Sequence, residues 1–267
     1  MHNFEYVHDL IKNYRTAIID TRISPNDQMN NQYYFDVGKS AIDNIAIACL
    51  ASNITEVKKV LDIPCGHGRV LRHLIHLFPA AEFHACDVDA DGVDFCASTF
   101  GAKPVYSREE LTEIDFGSEY DLIWVGSLFT HTALNVTRRW MAHLAKFLSS
   151  TGVVVATLHG RWSQHVHQVA PYIEETQWQQ IIADYSATGY GYRDYLVHGL
   201  SHISGSYGVS LAKPYASIRN VEDIEGIRIY LYRERAWADH QDILVFGRPS
   251  YDQPWSSHLS LNKEKAG

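Results

Sequence analysis

The residues best suited to chemistry cluster in one short run, Val60-Leu-Asp-Ile-Pro-Cys-Gly-His-Gly-Arg69, and at one acid further on, Asp87. Asp62 lies inside the apolar β run Lys59-Val-Leu-Asp-Ile-Pro64, and a carboxylate buried there requires a partner. Gly66 and Gly68 allow a tight turn and a close approach of backbone to ligand before a helix begins. Asp87 ends the next apolar run, Glu82-Phe-His-Ala-Cys86, so it would lie beside the loop, where a carboxylate accepts both hydroxyls of a ribose. A dinucleotide-binding loop would carry Gly or Ala at the position held by Leu71. Asp62 would also repel a pyrophosphate, whereas a cationic ligand with an amino-acid tail suits it.

Histidine supplies the other candidates, 15 in all. An imidazole titrates near neutral pH and can take a proton from a hydroxyl. His131 follows the fourth strand-like run, and His159 the fifth. His240, with Asp242, could form an oriented imidazole–carboxylate pair near the start of the last run. For each, the bland alternative is a capping or core-packing ring. His198 and His202 are four apart and His165 and His167 two apart, but Gly199 interrupts the first pair and no acid completes a site, so no metal is expected. The run Tyr185, Tyr190, Tyr192, Tyr195 suits either a lid whose rings cover a sugar or aromatic substrate, or a bare surface loop.

These residues need a scaffold that brings strand ends together, and the pattern provides one. Strand-like runs at Lys59–Pro64, Glu82–Cys86, Lys103–Tyr106, Tyr120–Gly126 and Gly152–Leu158 alternate with helical spacing at Arg69–Phe78 and about Thr137–Leu148, the latter stopped by Ser149-Ser-Thr-Gly152. Strands that are apolar throughout imply a parallel sheet covered on both faces, an α/β doubly wound fold. Two more runs, Ile227–Tyr232 and Asp242–Gly247, close it. Residues 1–57 read as an N-terminal helical lid, with helices at Tyr6–Ile19 and about Val37–Ala51. Residues 58–250 form the main domain. Within it 159–206 loses its hydrophobic period and reads as an insertion with some helix near Ile173–Tyr185; 251–267 is a polar tail.

Composition narrows the partners. The formal charge is −8 without a Lys or Arg run, which argues against nucleic acid. The most apolar stretches are too short to span a bilayer, and the opening residues lack a signal-peptide pattern, so neither membrane nor export is expected. Cys49, Cys65, Cys86 and Cys96 form no CxxC pair and fit buried thiols in a reducing cytoplasm. The oligomeric state is open.

Asp62-Ile-Pro-Cys-Gly-His-Gly68 resembles motif I of the class I, Rossmann-like S-adenosylmethionine-dependent methyltransferases, and Asp87 resembles that family's ribose-binding acid. The similarity continues through Tyr120–His131 and Gly152–Leu158 to the final strand pair. It implies a seven-stranded, mostly parallel sheet with the last strand antiparallel. S-adenosylmethionine would be the cofactor, bound by Asp62, Ile63, Pro64, Cys65, Gly66 and Gly68 at its methionine portion. Asp87 would take the ribose and Val88 the adenine, with Gly126 and Ser127 near the sulfur. The adenine amino contact stays open among Ser107, Glu109 and a backbone group. Gln32–Ser40 resembles a lid segment of members in sugar and natural-product pathways, which would bring Tyr34 and Gly38 to the cofactor; the alternative is a helix packed on the sheet. The implied activity is methyl transfer to a small-molecule or carbohydrate acceptor, at oxygen. Alternatives are a protein methyltransferase or a non-catalytic cofactor-binding protein.

Overall fold

A computed structural model describes residues 3–196 and 207–248. Helices α1 (Asn3–Arg15) and α2 (Tyr34–Ala51) lead into an alternation of β1 (Lys59–Ile63), α3 (Leu71–Leu77), β2 (Glu82–Asp87), α4 (Ala90–Phe100), β3 (Lys103–Tyr106), β4 (Tyr120–Val125), α5 (Leu134–Ala145) and β5 (Leu148–Leu158). Then come α6 (Ser163–Val169), α7 (Glu175–Thr188), β6 (Tyr190–Asp194), β7 (Gly208–Ala212), α8 (Pro214–Glu222), β8 (Arg228–Trp237) and β9 (Gln241–Gly247). Among the described residues no helix is long and apolar enough to cross a membrane.

Seven strands form one sheet in the order β3-β2-β1-β4-β5-β9-β8. Strands β1 to β5 run parallel, β9 lies antiparallel to β5, and β8 antiparallel to β9. This is the doubly wound sheet with an antiparallel last strand that the pattern implies. Successive side chains on a strand point to opposite faces. Val60, Leu122, Val153, Val155, Ile243 and Val245 therefore pack with α2 and α3, and Leu61, Ile123, Val154, Leu244 and Phe246 with α5 and α8. Strand order reverses between β1 and β4, which opens a crevice at the carboxyl edge, the usual ligand position in such sheets.

Element boundaries depart from the sequence reading where side chains redirect the backbone. Helix α5 ends at Ala145, and Ser149-Ser-Thr-Gly152 belongs to β5 instead of terminating the helix. There Tyr120 pairs with Leu148, a bulge follows, and Ser149 Oγ donates to Asp121 Oδ1 (2.7 Å). Helix α1 stops at Arg15, four residues early, where Thr16 Oγ1 turns back to the Asn13 carbonyl (2.9 Å). The described part of 159–206 holds two helices and a strand, and β6 pairs with β7 as a separate two-stranded sheet. Its periodicity is hidden because Trp178, Ile181 and Tyr185 pack on Val209 and Leu211 in a small core of their own.

Candidate functional site

The glycine loop takes the shape its residues allow. Gly66 has φ +47° and Gly68 φ +76°, backbone that other residues adopt only with strain. A side chain on Gly68 would also strike the Phe100 ring. The loop carries Asp87 into place: the Gly66 N–H donates to Asp87 Oδ2 (2.8 Å) and the Asp89 N–H to Oδ1 (3.0 Å).

Beside them lies a cavity of about 520 Å³. Of the sequence candidates, Ile63, Pro64, Gly66, Asp87, Val88, Ser127 and His131 line it. Cys65, Gly68 and Gly126 back this wall without being on its lining. Asp62 sits behind the loop, 1% exposed, and among the described residues neither carboxylate oxygen has a hydrogen-bond partner in good geometry. Burial, then the charge of Asp87, push Asp62 well above the usual carboxylate range, against the pull of Arg69 and the Leu71 amide. The Arg69 guanidinium lies over the Trp237 ring (5.8 Å) and donates no hydrogen bond among the described residues.

Tyr34 and Gly38 occupy α2, away from the cavity lining. Tyr34 is buried, donates to Asp27 Oδ2 (2.6 Å) and receives Arg72 Nη2 (3.2 Å). Gly38 is a packing glycine, since a Cβ there would overlap the His73 ring and the Arg69 carbonyl. Through Asp27 the helix still touches the site, because Asp27, Gln28 and Met29 form one rim of the cavity. Sequence reading missed that rim, as well as Tyr207, Thr132 and Trp140. Its one signal was Tyr34 in the lid-like segment.

At the far end Ser107, Arg108, Glu109 and Glu110 all line the cavity. Glu110 is already committed to Arg139 Nη2 (2.5 Å), Trp140 Nε1 (2.8 Å) and Thr112 Oγ1 (2.7 Å). Burial alone would raise its pKa, but these bonds outweigh it and bring the carboxyl down to about 2.

Ser127 is a non-glycine residue at φ +60°, held from three sides. Its N–H donates to Thr157 Oγ1 (2.7 Å), its carbonyl accepts from Thr130 Oγ1 (2.9 Å), and its Oγ accepts from Gln241 Nε2 (2.7 Å). Strain of this kind persists where surroundings over-determine it, often at functional sites.

Four residues on, His131 Nδ1 meets the Gly208 carbonyl (2.7 Å). Only an N–H can donate to a carbonyl, so Nε2 keeps the lone pair, in a ring that lines the cavity. Burial lowers the His131 pKa, opposed by the Gly208 bond. His159 and His240 stand behind, off the lining. His159 is buried against the rings of Tyr172 (4.8 Å) and His240 (5.3 Å), and His240 Nε2 bonds Tyr172 Oη (2.5 Å). Asp242 does not pair with His240: it accepts from Tyr232 Oη (2.5 Å) and the Arg235 N–H (2.8 Å). His165 and His167 pack on Trp162 and Trp178, and His198 and His202 lie outside the described residues.

Residues 61–154, which hold this loop, its acid and the strands beside them, match a family model described as a methyltransferase domain. The fold around that segment is the one found in S-adenosylmethionine-dependent methyltransferases. No curated protein matches the chain. Among solved structures, a S-adenosylmethionine-dependent methyltransferase from Clostridium acetobutylicum is similar at 11% identity and TM-score 0.53, over 92% of this chain and 99% of that one. DesVI from Streptomyces venezuelae is similar at 16% and 0.51, over 92% and 98%. An O-methyltransferase family protein from Burkholderia thailandensis is similar at 13% and 0.51, over 94% and 69%. At these identities the likeness is one of fold.

The residues of this segment fit S-adenosylmethionine on their own chemistry. Asp87 lines the cavity as a fixed carboxylate acceptor, which ribose hydroxyls would fit. Behind the loop, the oxygens of Asp62, without a hydrogen-bond partner among the described residues, and the Arg69 guanidinium supply an acceptor and a donor, as the ammonium and carboxylate of a methionine tail would require.

Proposed function

We propose that this chain is an enzyme that transfers the methyl group of S-adenosylmethionine to a hydroxyl of a small-molecule or carbohydrate-like acceptor, with His131 as general base. The cofactor supplies a methyl group on an already activated sulfonium, so the protein has mainly to position the acceptor, exclude water and take its proton. Asp62 would hold the cofactor's ammonium, Arg69 its carboxylate and Asp87 its ribose, with Ser127 and His131 on the cavity wall where the methyl group would be transferred.

The observation that carries this reading is the tautomer of His131. With Nδ1–H spent on the Gly208 carbonyl, Nε2 is the one ring nitrogen able to accept a proton. The depressed pKa keeps that nitrogen deprotonated at neutral pH. Nε2 of His131 would take the hydroxyl proton as the acceptor oxygen gains the methyl group from the sulfonium. An oxygen acceptor is the kind that needs such a base, and a similar fold belongs to an O-methyltransferase family protein.

The test is incubation of purified protein with methyl-labelled S-adenosylmethionine and a panel of sugars, phenols and peptides. Label on an oxygen of a sugar or phenol supports the proposal; label confined to peptides overturns it.

A further inference from the structure

Between α1 and α2 the chain runs through residues 16–33 in turns, without helix or strand. Among the described residues this strap sends only Ile19 into the hydrophobic core, and its Ile18 is 91% exposed. Apolar burial therefore does little to place it. Yet its Asp27, Gln28 and Met29 line the cofactor cavity. We infer that Arg72 is a positioning residue that ties this strap to the glycine loop, so that cofactor binding and closure of the strap depend on each other. The inference goes beyond the proposed transfer and rests only on the cavity being the cofactor's.

The first tie is the Arg72 guanidinium. Arg72, on α3, is fully buried among the rings of Tyr34 (5.1 Å), Phe35 (5.7 Å) and Phe100 (5.1 Å). Its Nε donates to the Gly68 carbonyl (3.0 Å) and its Nη2 to the His67 carbonyl (3.3 Å), both on the glycine loop. Its Nη1 donates to the Asp20 (2.9 Å) and Arg22 (2.7 Å) carbonyls of the strap, and Nη2 also to Tyr34 Oη (3.2 Å). All five N–H groups are thus spent on neutral oxygens of the loop, the strap and α2. A buried cation is tolerated only while such acceptors stay in place. Displacing the loop carbonyls would therefore loosen the strap, and displacing the strap would loosen the loop. A lysine, with three donors on one atom, cannot span both carbonyl pairs.

A second tie closes the circuit. Asp91, on α4, accepts at Oδ2 from His67 Nε2 (2.8 Å) on the loop and from Asn26 Nδ2 (3.0 Å) on the strap. Tyr34 Oη donates to Asp27 Oδ2 (2.6 Å), and Asp27 Oδ1 accepts the Met29 N–H (2.9 Å), which fixes the part of the strap that lines the cavity. Arg22 Nη2 reaches the Thr99 carbonyl on α4 (3.1 Å). Arg72, Tyr34, Asp27, Asn26, Asp91 and His67 thus form one closed circuit between loop and rim. His67 itself lines the cavity, so a ligand that orders the loop also orders the strap through contiguous bonds.

The experiment compares the full chain with and without S-adenosylhomocysteine. Amide hydrogen exchange reads the strap, and a chase with unlabelled ligand reads the release of labelled S-adenosylhomocysteine. In the wild type the ligand should slow exchange of residues 16–33 by about tenfold. Asn26→Ala removes one tie from an exposed side chain and leaves the bond between His67 and Asp91 in place. Tyr34→Phe removes the hydroxyl that joins Arg72 to Asp27. Each should speed strap exchange and ligand release by roughly threefold to tenfold, with the association rate and the exchange of the sheet unchanged. Arg72→Lys keeps the charge but loses the fork, and should speed release by about tenfold or more. If Arg72→Lys fails to fold, the other two variants carry the test. Ligand binding that leaves strap exchange unchanged would overturn the coupling. So would variants that loosen the strap without speeding release, the result a merely structural arginine gives. Neither measurement involves an acceptor. Failed transfer to every small molecule would refute the proposed function and leave this coupling standing, whereas loss of the coupling would leave the transfer intact.

Discussion

On the cofactor side, Asp87 is fixed by the amides of Gly66 and Asp89, 21 and 2 residues away. On the side proposed for the acceptor, His131 is fixed by the Gly208 carbonyl 77 residues later, and behind it Tyr172 by His240, 68 residues later. The first wall is backbone folded on itself by two glycines at positive φ. The second is a cluster of rings drawn from the loops after β4 and β5, the segment between β5 and β7 and the β8–β9 turn. Backbone recognition suits a ligand that never changes; side-chain recognition can be retuned ring by ring without disturbing the sheet.

This contrast makes separable predictions. His131→Ala should lower turnover by about 100-fold to 10,000-fold, the usual range for general acid–base catalysis, with S-adenosylhomocysteine affinity nearly constant. Paired kinetics and calorimetry on the folded variant check it; loss of cofactor affinity would put His131 in the wrong half. The base works deprotonated, and its pKa is depressed, so turnover should persist below the ordinary imidazole pKa of 6.5 and fall only as pH drops through the lowered value. An acid limb above 6.5 would contradict this.

Asp87→Ala should weaken S-adenosylhomocysteine by about 1.5–3 kcal/mol, as for hydrogen bonds to a charged group. Unchanged calorimetric affinity would move the ribose contact to another carboxylate such as Asp89. Asp62→Asn should cost less, roughly threefold to tenfold in S-adenosylhomocysteine affinity. It should leave 5′-methylthioadenosine, which lacks the amino-acid tail, unaffected. Equal weakening of both ligands would show Asp62 to be merely structural.

The smallest effect lies outside both walls. His73, buried against Tyr14 Oη (2.7 Å), has its pKa lowered from 6.5 to about 4, by burial first and then by Arg72. Between those values the unfolded chain binds a proton that the folded one does not, so stability falls as pH drops through that window and levels off below it. His73→Phe should flatten that part of the stability-versus-pH curve from chemical denaturation; an unchanged slope would assign the acid sensitivity to other groups.

The contrast also explains what the sequence disclosed. Asp62, Gly66, Gly68 and Asp87 are legible because strand, turn and strand end lie within thirty residues, and each residue type answers a local backbone demand. The sheet is legible because its strands are apolar on both faces. Tyr34 and Gly38 stayed ambiguous in sequence because a helix that packs on the sheet and a lid over a ligand look alike; from this part of the chain the cavity is lined by Asp27, Gln28 and Met29. The pairing of His240 with Tyr172 in place of Asp242, and of His131 with Gly208, depends on how β7 and the last hairpin fold back, which no local spacing encodes.

The central claim is that the glycine loop and Asp87 form a site for S-adenosylmethionine and not for a dinucleotide. Titration calorimetry of the purified chain with S-adenosylhomocysteine and, separately, with NAD tests it most directly. S-adenosylhomocysteine should bind at one site per chain while NAD gives no binding heat. Tighter binding of NAD would contradict the account from Asp62 outward.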